Sequence, residues 1–161
     1  MKKTAIVTGG SRGIGYAIAT RLGLDGCNVV ILATGEQSRY QEALDKLTEQ
    51  GISWLYVQGS VDSAESREKL VKETVEHFGR IDILVNNAGI IKRIPMTEMS
   101  VDDFKQVIDI DLTAPFIVSK AVIPGMIKKG HGKIINICSM MSELGRETVS
   151  AYAAAKGGLK M

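Results

Sequence analysis

A chain of 161 residues, 45% hydrophobic and 24% charged, with 20 Lys+Arg against 18 Asp+Glu, has the composition of an ordinary globular domain. A formal net charge of +2 and an aromatic content of 5% exclude nucleic acid or an anionic membrane as the main partner. No unbroken apolar run approaches the roughly 18 residues that a membrane helix needs. Thr8-Gly9-Gly10 ends the first apolar stretch too early for a secretory leader. The expected setting is cytoplasmic, and no metal site is expected. Cys27 and Cys138 lie far apart within apolar segments, so both read as small core residues rather than as a disulfide or metal pair.

Strand-like and helix-like patterns alternate along the chain. Thr4-Ala5-Ile6-Val7 is a short β-leaning run, followed by a glycine-rich turn and helical spacing over Tyr16 to Leu24. Asn28 to Ala33 is almost continuously apolar, as strands covered on both faces are. Gln41 to Gln50 reads as an amphipathic helix that Gly51 stops, Ser53 to Gln58 as a third strand, and Ala64 to Phe78 as a helix ended by Gly79. Ile81 to Val85 is a fourth strand running into Asn86-Asn87-Ala88-Gly89. A long helical stretch covers roughly Val101 to Lys129, with kinks or breaks expected at Pro115 and Pro124. Lys133 to Cys138 is a fifth strand, and Ser150 to Met161 a further helix. This alternation predicts an α/β fold, a doubly wound parallel sheet built from right-handed βαβ units. No repeat or linker divides the chain, so one domain over 1–161 is expected.

The first strand leads into Thr8-Gly9-Gly10-Ser11-Arg12-Gly13-Ile14-Gly15, which opens the first helix. Glycines there allow a sharp turn and close approach of backbone to a ligand. Free N–H groups at the helix start suit a pyrophosphate. The spacing is Gly-x-x-x-Gly-x-Gly, and three further motifs follow in order: Asn86-Asn87-Ala88-Gly89, Ser139 after the fifth strand, and Tyr152-x-x-x-Lys156 in the next helix. With this ordered set the whole chain resembles the short-chain dehydrogenase/reductase family. Ser139 stands thirteen positions before Tyr152, as in bacterial 3-oxoacyl-carrier-protein reductases. The resemblance implies a Rossmann-type, three-layer α/β/α fold that binds NAD(P). Its last strands lie beyond this sequence, because the chain stops five residues after Lys156.

Tyr152 and Lys156 are i and i+4 on a helix, so both project from one face. An ammonium one turn away stabilises the tyrosinate that proton transfer creates. The resemblance makes Tyr152 the acid/base, Lys156 its activator and a ligand of the nicotinamide ribose, and Ser139 the group that orients the substrate oxygen. It places an Asn at position 111, within a helix irregularity and a water-linked proton relay. Here the residue is Asp111, which lacks the amide donor and sets a negative charge near Lys156. A slowed or rewired relay is expected. Ser139, Tyr152, Lys156 and Asp111 form the candidate catalytic set.

The resemblance further implies cofactor contacts at Gly9, Ser11, Arg12, Gly13, Ile14, Gly15, Thr34, Val61, Asn87, Ala88 and Gly89, besides Tyr152 and Lys156. In dinucleotide folds an acid after the second strand grips a ribose 2′-hydroxyl, whereas a nearby Arg accepts a 2′-phosphate. The second strand ends Leu32-Ala33-Thr34-Gly35-Glu36 with no acid at its tip. Arg12 is positioned for the phosphate, with Arg39 as an assistant, so NADP(H) is favoured over NAD(H); Glu36 argues the other way. Asp62 reads as an acid near a helix N-cap. The expected substrate is a carbonyl or secondary alcohol. A 3-oxoacyl-carrier-protein reductase-like activity is favoured, with a gluconate 5-dehydrogenase-like sugar-acid activity as the alternative. A third reading is a dinucleotide-binding fragment or pseudoenzyme with impaired chemistry. The family resemblance also implies homo-oligomers. The expectation is a fragment whose sheet exposes an apolar edge, weakly active alone and prone to self-association.

Overall fold

A computed structural model describes residues 2–161. The element order is β1 (Thr4–Thr8), α1 (Gly13–Leu24), β2 (Asn28–Ala33), α2 (Gln41–Glu49), β3 (Trp54–Gln58), α3 (Ala64–Phe78), β4 (Ile83–Asn86), α4 (Val101–Ile108), α5 (Ala114–Lys129), β5 (Lys133–Asn136) and α6 (Ser150–Lys160). Short 3-10 turns occupy Gln37–Tyr40 and Met140–Ser142, and a π-helical turn over Asp109–Thr113 joins α4 to α5.

Five parallel strands lie in the order β3-β2-β1-β4-β5. Successive side chains of a strand point to opposite faces. Thus Ile6, Val30, Leu32 and Leu84 meet Leu70 of α3 and Val118, Val122 and Met126 of α5. Val7, Val29, Ile31 and Val85 meet Ala19 of α1 and Leu44 and Leu47 of α2 on the other face. Both faces are covered, which is why β2 is apolar from Val29 to Ala33. The fold is the doubly wound, Rossmann-like α/β arrangement that the alternation predicts. A third, smaller cluster joins Val107 of α4 to Ala151 and Ala155 of α6.

Local chemistry sets the helix ends. The Ser63 hydroxyl accepts the Ser66 N–H at 3.2 Å to start α3, and Gly79 ends it in the left-handed region at φ 75°. Asp62 stands next to this cap, one residue before Ser63.

The structure departs from expectation in three places. Pro124 breaks nothing: α5 runs through it to Lys129, because Val122 and Met126 hold the helix on the sheet on either side. The irregularity lies instead just before Pro115, in the π-helical turn, where widening the helix relieves the clash that a proline ring makes with the preceding turn. Cys138 is exposed while Cys27 is buried; β5 is an edge strand whose own Ile134 and Ile135 are exposed, so the segment after it is not covered. Finally, the continuous helical stretch Val101–Lys129 meets the length and composition of a membrane-crossing helix, with a mean hydropathy of 1.4 over an 18-residue window. Here Val107, Val118, Val122 and Met126 on that stretch are buried, and about a third of the 18-residue window is buried in all.

Candidate active site

Strand order reverses around β1, which is flanked by β2 on one side and β4 on the other. In open parallel sheets that reversal leaves a crevice at the carboxyl ends of the strands. A cleft of about 520 Å³ lies there, walled by the glycine-rich turn, the ends of β2 and β3, and the segment after β4. It gathers Gly9, Ser11, Arg12, Gly13, Ile14, Gly15, Thr34, Val61, Asn87, Ala88 and Gly89 along one wall system.

The turn is built to admit a ligand. Gly9 and Gly13 have φ of +66° and +55°, which side-chain-bearing residues rarely adopt. A Cβ on Gly15 would collide with the Gly9 carbonyl and come within 2.5 Å of the Asn87 amide nitrogen. Arg12 occupies the position before α1 with no side-chain cap on the helix, so the first N–H groups of α1 remain free for an anion. These features fit a dinucleotide.

Asn87 has a structural task as well. Its Nδ2 donates to the carbonyl oxygens of Thr8 and Gly9 at 3.0 and 3.2 Å. The Thr8 hydroxyl in turn accepts the N–H groups of Asn87 and Ala88, both at 3.0 Å. The glycine turn and the segment after β4 are thus one clamp. Gly15→Ala is expected to weaken dinucleotide binding at least tenfold and to destabilise the fold by roughly 1–3 kcal/mol through forced backbone movement. A fluorescence titration with NADPH beside a thermal melt checks both, and unchanged affinity would contradict the cradle.

At the β2 end, Tyr40 separates two spaces. Thr34 and Arg12 share the main cleft with it, whereas Arg39 lies in a different groove with Tyr16, Glu42 and Lys46. Glu36 is exposed and is not part of the cleft wall. The Tyr56 hydroxyl donates to the Gly35 carbonyl, and burial pushes its phenol up to about 12, so this link between β3 and the turn after β2 stays protonated. Tyr40, Ile90 and Ile110 also line the cleft, and sequence reasoning did not pick them out. Only tertiary packing brings them there.

Of the candidate catalytic residues, Tyr152, Lys156 and Asp111 come together between α6 and the π-helical turn, and Ser139 lies on the 3-10 turn packed against α6. Ser139 starts the 3-10 turn: its hydroxyl oxygen accepts the Met141 N–H at 3.1 Å, and the Ser142 hydroxyl accepts the Ser139 N–H at 3.2 Å. Tyr152 and Lys156 sit one turn apart on α6, with the ammonium 5.8 Å from the Tyr152 ring centre. Lys156 is buried and donates to the Ile137 carbonyl, two residues before Ser139, at 3.0 Å. Asp111, in the π-helical turn, is fully buried and faces the same ammonium at 3.4 Å. Its other oxygen accepts the Ile90 N–H at 2.7 Å. Burial pushes the Asp111 carboxyl above the usual carboxylate range, and the Ile90 N–H and Lys156 oppose this without reversing it. Tyr152, Lys156 and Ser139 do not wall the main cleft; they stand at its β5 side, on α6 and the turn packed against it.

The sequence profile described as short chain dehydrogenase matches residues 3–161. The chain belongs to the short-chain dehydrogenase family. It is 50% identical over 159 residues to the 2-dehydro-3-deoxy-D-gluconate 5-dehydrogenase of Formosa agariphila, covering 99% of this chain and 60% of that protein. It is 41% identical over 157 residues to the 3-oxoacyl-[acyl-carrier-protein] reductase of Vibrio cholerae, covering 98% of this chain and 63% of the relative. A crystal structure described as that of a candidate gluconate dehydrogenase from Agrobacterium tumefaciens superposes with a TM-score of 0.93 at 40% identity, covering 99% of this chain and 62% of that one. The chain thus spans about three-fifths of the length of these short-chain dehydrogenases. Relatives of this family are dehydrogenases and reductases of NAD(P).

Proposed function

We propose that residues 1–161 form the cofactor-binding domain and the catalytic residues of a cytoplasmic, NADP(H)-dependent short-chain oxidoreductase that interconverts a ketone and a secondary alcohol on a sugar acid. The observation that carries this reading is the Tyr152–Lys156 pair on α6, held against the end of β5 beside a glycine-walled cleft. NADP(H), when bound, supplies or accepts the hydride.

The chain's own residues do the rest. The glycine turn and the free N–H groups of α1 bind the pyrophosphate, and Asn87 keeps that turn and the segment after β4 in register. Arg12 takes the 2′-phosphate; no acid of the β2 end reaches the cleft to compete, since Glu36 lies outside it. Arg39, in its separate groove, has no part. Ser139 orients the substrate oxygen with its hydroxyl hydrogen. Tyr152 passes a proton to that oxygen in reduction and takes it back in oxidation. Lys156 stabilises the tyrosinate left behind and holds the ribose of the nicotinamide.

The order of the two substrate classes expected from the sequence is reversed in this proposal. The sugar-acid dehydrogenase is 50% identical to this chain, against 41% for the 3-oxoacyl reductase. The latter remains the second reading. Assembly with further copies of the chain is supported by exposed Phe116, Ile123 and Ile127 on α5. Turnover of NADPH with 5-keto-D-gluconate, set against a 3-oxoacyl thioester, tests the substrate assignment; a preference for the thioester would overturn it. Arg12→Ala is expected to raise the Kd for NADP+ roughly tenfold, the loss of one charge-assisted contact, and to leave that for NAD+ unchanged. Calorimetric titration reads both, and equal losses would contradict the phosphate role.

A further inference from the structure

Lys156 and Asp111 form an ion pair that is closed to solvent: the lysine is 4% exposed and the aspartate not at all. The carboxylate has little freedom, because Oδ1 accepts the Ile90 N–H and Oδ2 lies where a Cβ on Gly89 would come within 2.6 Å of it. Oδ2 has no hydrogen-bond partner; Lys156 is the cation that faces it, at 3.4 Å. The ammonium is fixed from the other side by the Ile137 carbonyl.

Other charges around this junction are already engaged or face away. On α6, Lys160 pairs with Glu143 at the surface. From α4 and the π-helical turn, Asp102, Lys105 and Asp109 line an outer groove with Asp62 and Arg67, and Asp103 pairs with Lys92. The Tyr152 ring centre lies 5.8 Å from the pair's ammonium.

We propose that Asp111 is a positioning residue that acts through Lys156: it pins the ammonium beside Tyr152 and cancels part of the positive field that Tyr152 experiences. The inference rests on Tyr152 being the proton-transfer group. A bare ammonium at this distance favours tyrosinate through a charge; an ammonium joined to a carboxylate acts as a dipole, whose field falls off faster. Asp111 therefore sets the pH at which the site takes a proton from an alcohol, and it sets it higher than a neutral residue would.

The same residue works against the fold. Its carboxyl titrates higher in the folded than in the unfolded chain, so the folded state favours the protonated form. Ionisation as pH rises through and above that range costs stability that a neutral replacement would not lose with pH, although it leaves the Lys156 ammonium without its counter-charge. A buried group that opposes stability at the centre of a candidate site is the pattern expected of a functional residue.

The test uses the whole protein, its Asp111→Asn variant and, as a second neutral replacement, Asp111→Ser. The pH profile of gluconate oxidation with NADP+ is recorded for each, together with urea unfolding without cofactor at the same pH values. The rising limb of kcat is expected about one pH unit lower in both variants, which is about tenfold more of the plateau rate on the parent's limb. The stability of Asp111→Asn relative to the parent is expected to fall on acidification. A limb that superimposes on the parent's, or lies at higher pH, overturns the proposal. So does a loss of kcat that is equal at every pH and tracks lost stability. Full turnover by Tyr152→Phe would instead overturn the reading on which the proposal rests.

Discussion

Tyr152→Phe is expected to lower kcat by roughly 10²- to 10⁴-fold, the contribution of a positioned acid/base, while leaving the fold and NADPH affinity close to those of the parent. The ring packs with Val107, Ala151 and Ala155 and stays the same size, so the loss is confined to the hydroxyl proposed to exchange the proton. Lys156 would still be anchored by Ile137 and Asp111. Steady-state rates and a binding titration on one preparation separate the two effects. A variant that retains more than a tenth of the parent's kcat would move the proton-transfer role to another residue.

The second large effect is on stability and lies at the opposite end of the sheet. Asp82, at the amino end of β4, is 2% exposed. Its oxygens accept the Thr4 N–H of β1, the Arg80 guanidinium in a two-pronged contact and the Lys129 ammonium from the end of α5. Burial alone would raise this carboxyl; the hydrogen bonds from Arg80, Lys129 and Thr4 more than reverse it and hold it well below the usual carboxylate range. Asp82→Asn leaves Arg80 and Lys129 facing a neutral amide and is expected to cost roughly 3–5 kcal/mol at neutral pH. Because the folded value is depressed, the stabilisation is present above the unfolded value of about 3.9 and is lost as pH falls through the folded one. Urea unfolding of parent and variant should therefore differ most at neutral pH and converge in strong acid. A difference that is constant with pH would show that packing, not charge, holds this corner.

Much of the framework is legible in the sequence because local signals agree with the tertiary outcome. β2 and α3 begin and end where the apolar run and the helical pattern place them, since β2 is buried on both faces and α3 is bounded by Ser63 and Gly79. The glycine turn is legible for the same reason: its spacing, after one strand and before one helix, leaves few other uses. The irregularity around position 111 and the break expected at Pro115 are legible too, and the structure resolves them as the π-helical turn Asp109–Thr113, although its π geometry is not legible locally. What depends on distant contacts is not legible. Cys138 looks like a core residue in an apolar string, yet the edge position of β5 leaves it exposed. Tyr40 and Ile110 enter the cleft wall only when the turns around them fold back. The direct pairing of Asp111 with Lys156 needs α6 to pack across the π-helical turn, 45 positions earlier in the chain. The resemblance already sets the Asp111 charge near Lys156; the direct contact at 3.4 Å is what the structure adds.

The central claim is that the cleft and the α6 pair act together as an oxidoreductase. The most direct measurement is the loss of NADPH absorbance by the whole protein in the presence of 5-keto-D-gluconate, with product formed in equal amount. Steady consumption that Tyr152→Phe abolishes is the expected result. Tight NADPH binding with no consumption, on that substrate, other keto sugar acids or a 3-oxoacyl thioester, would contradict it and leave a dinucleotide-binding module whose Ser139, Tyr152 and Lys156 do no chemistry.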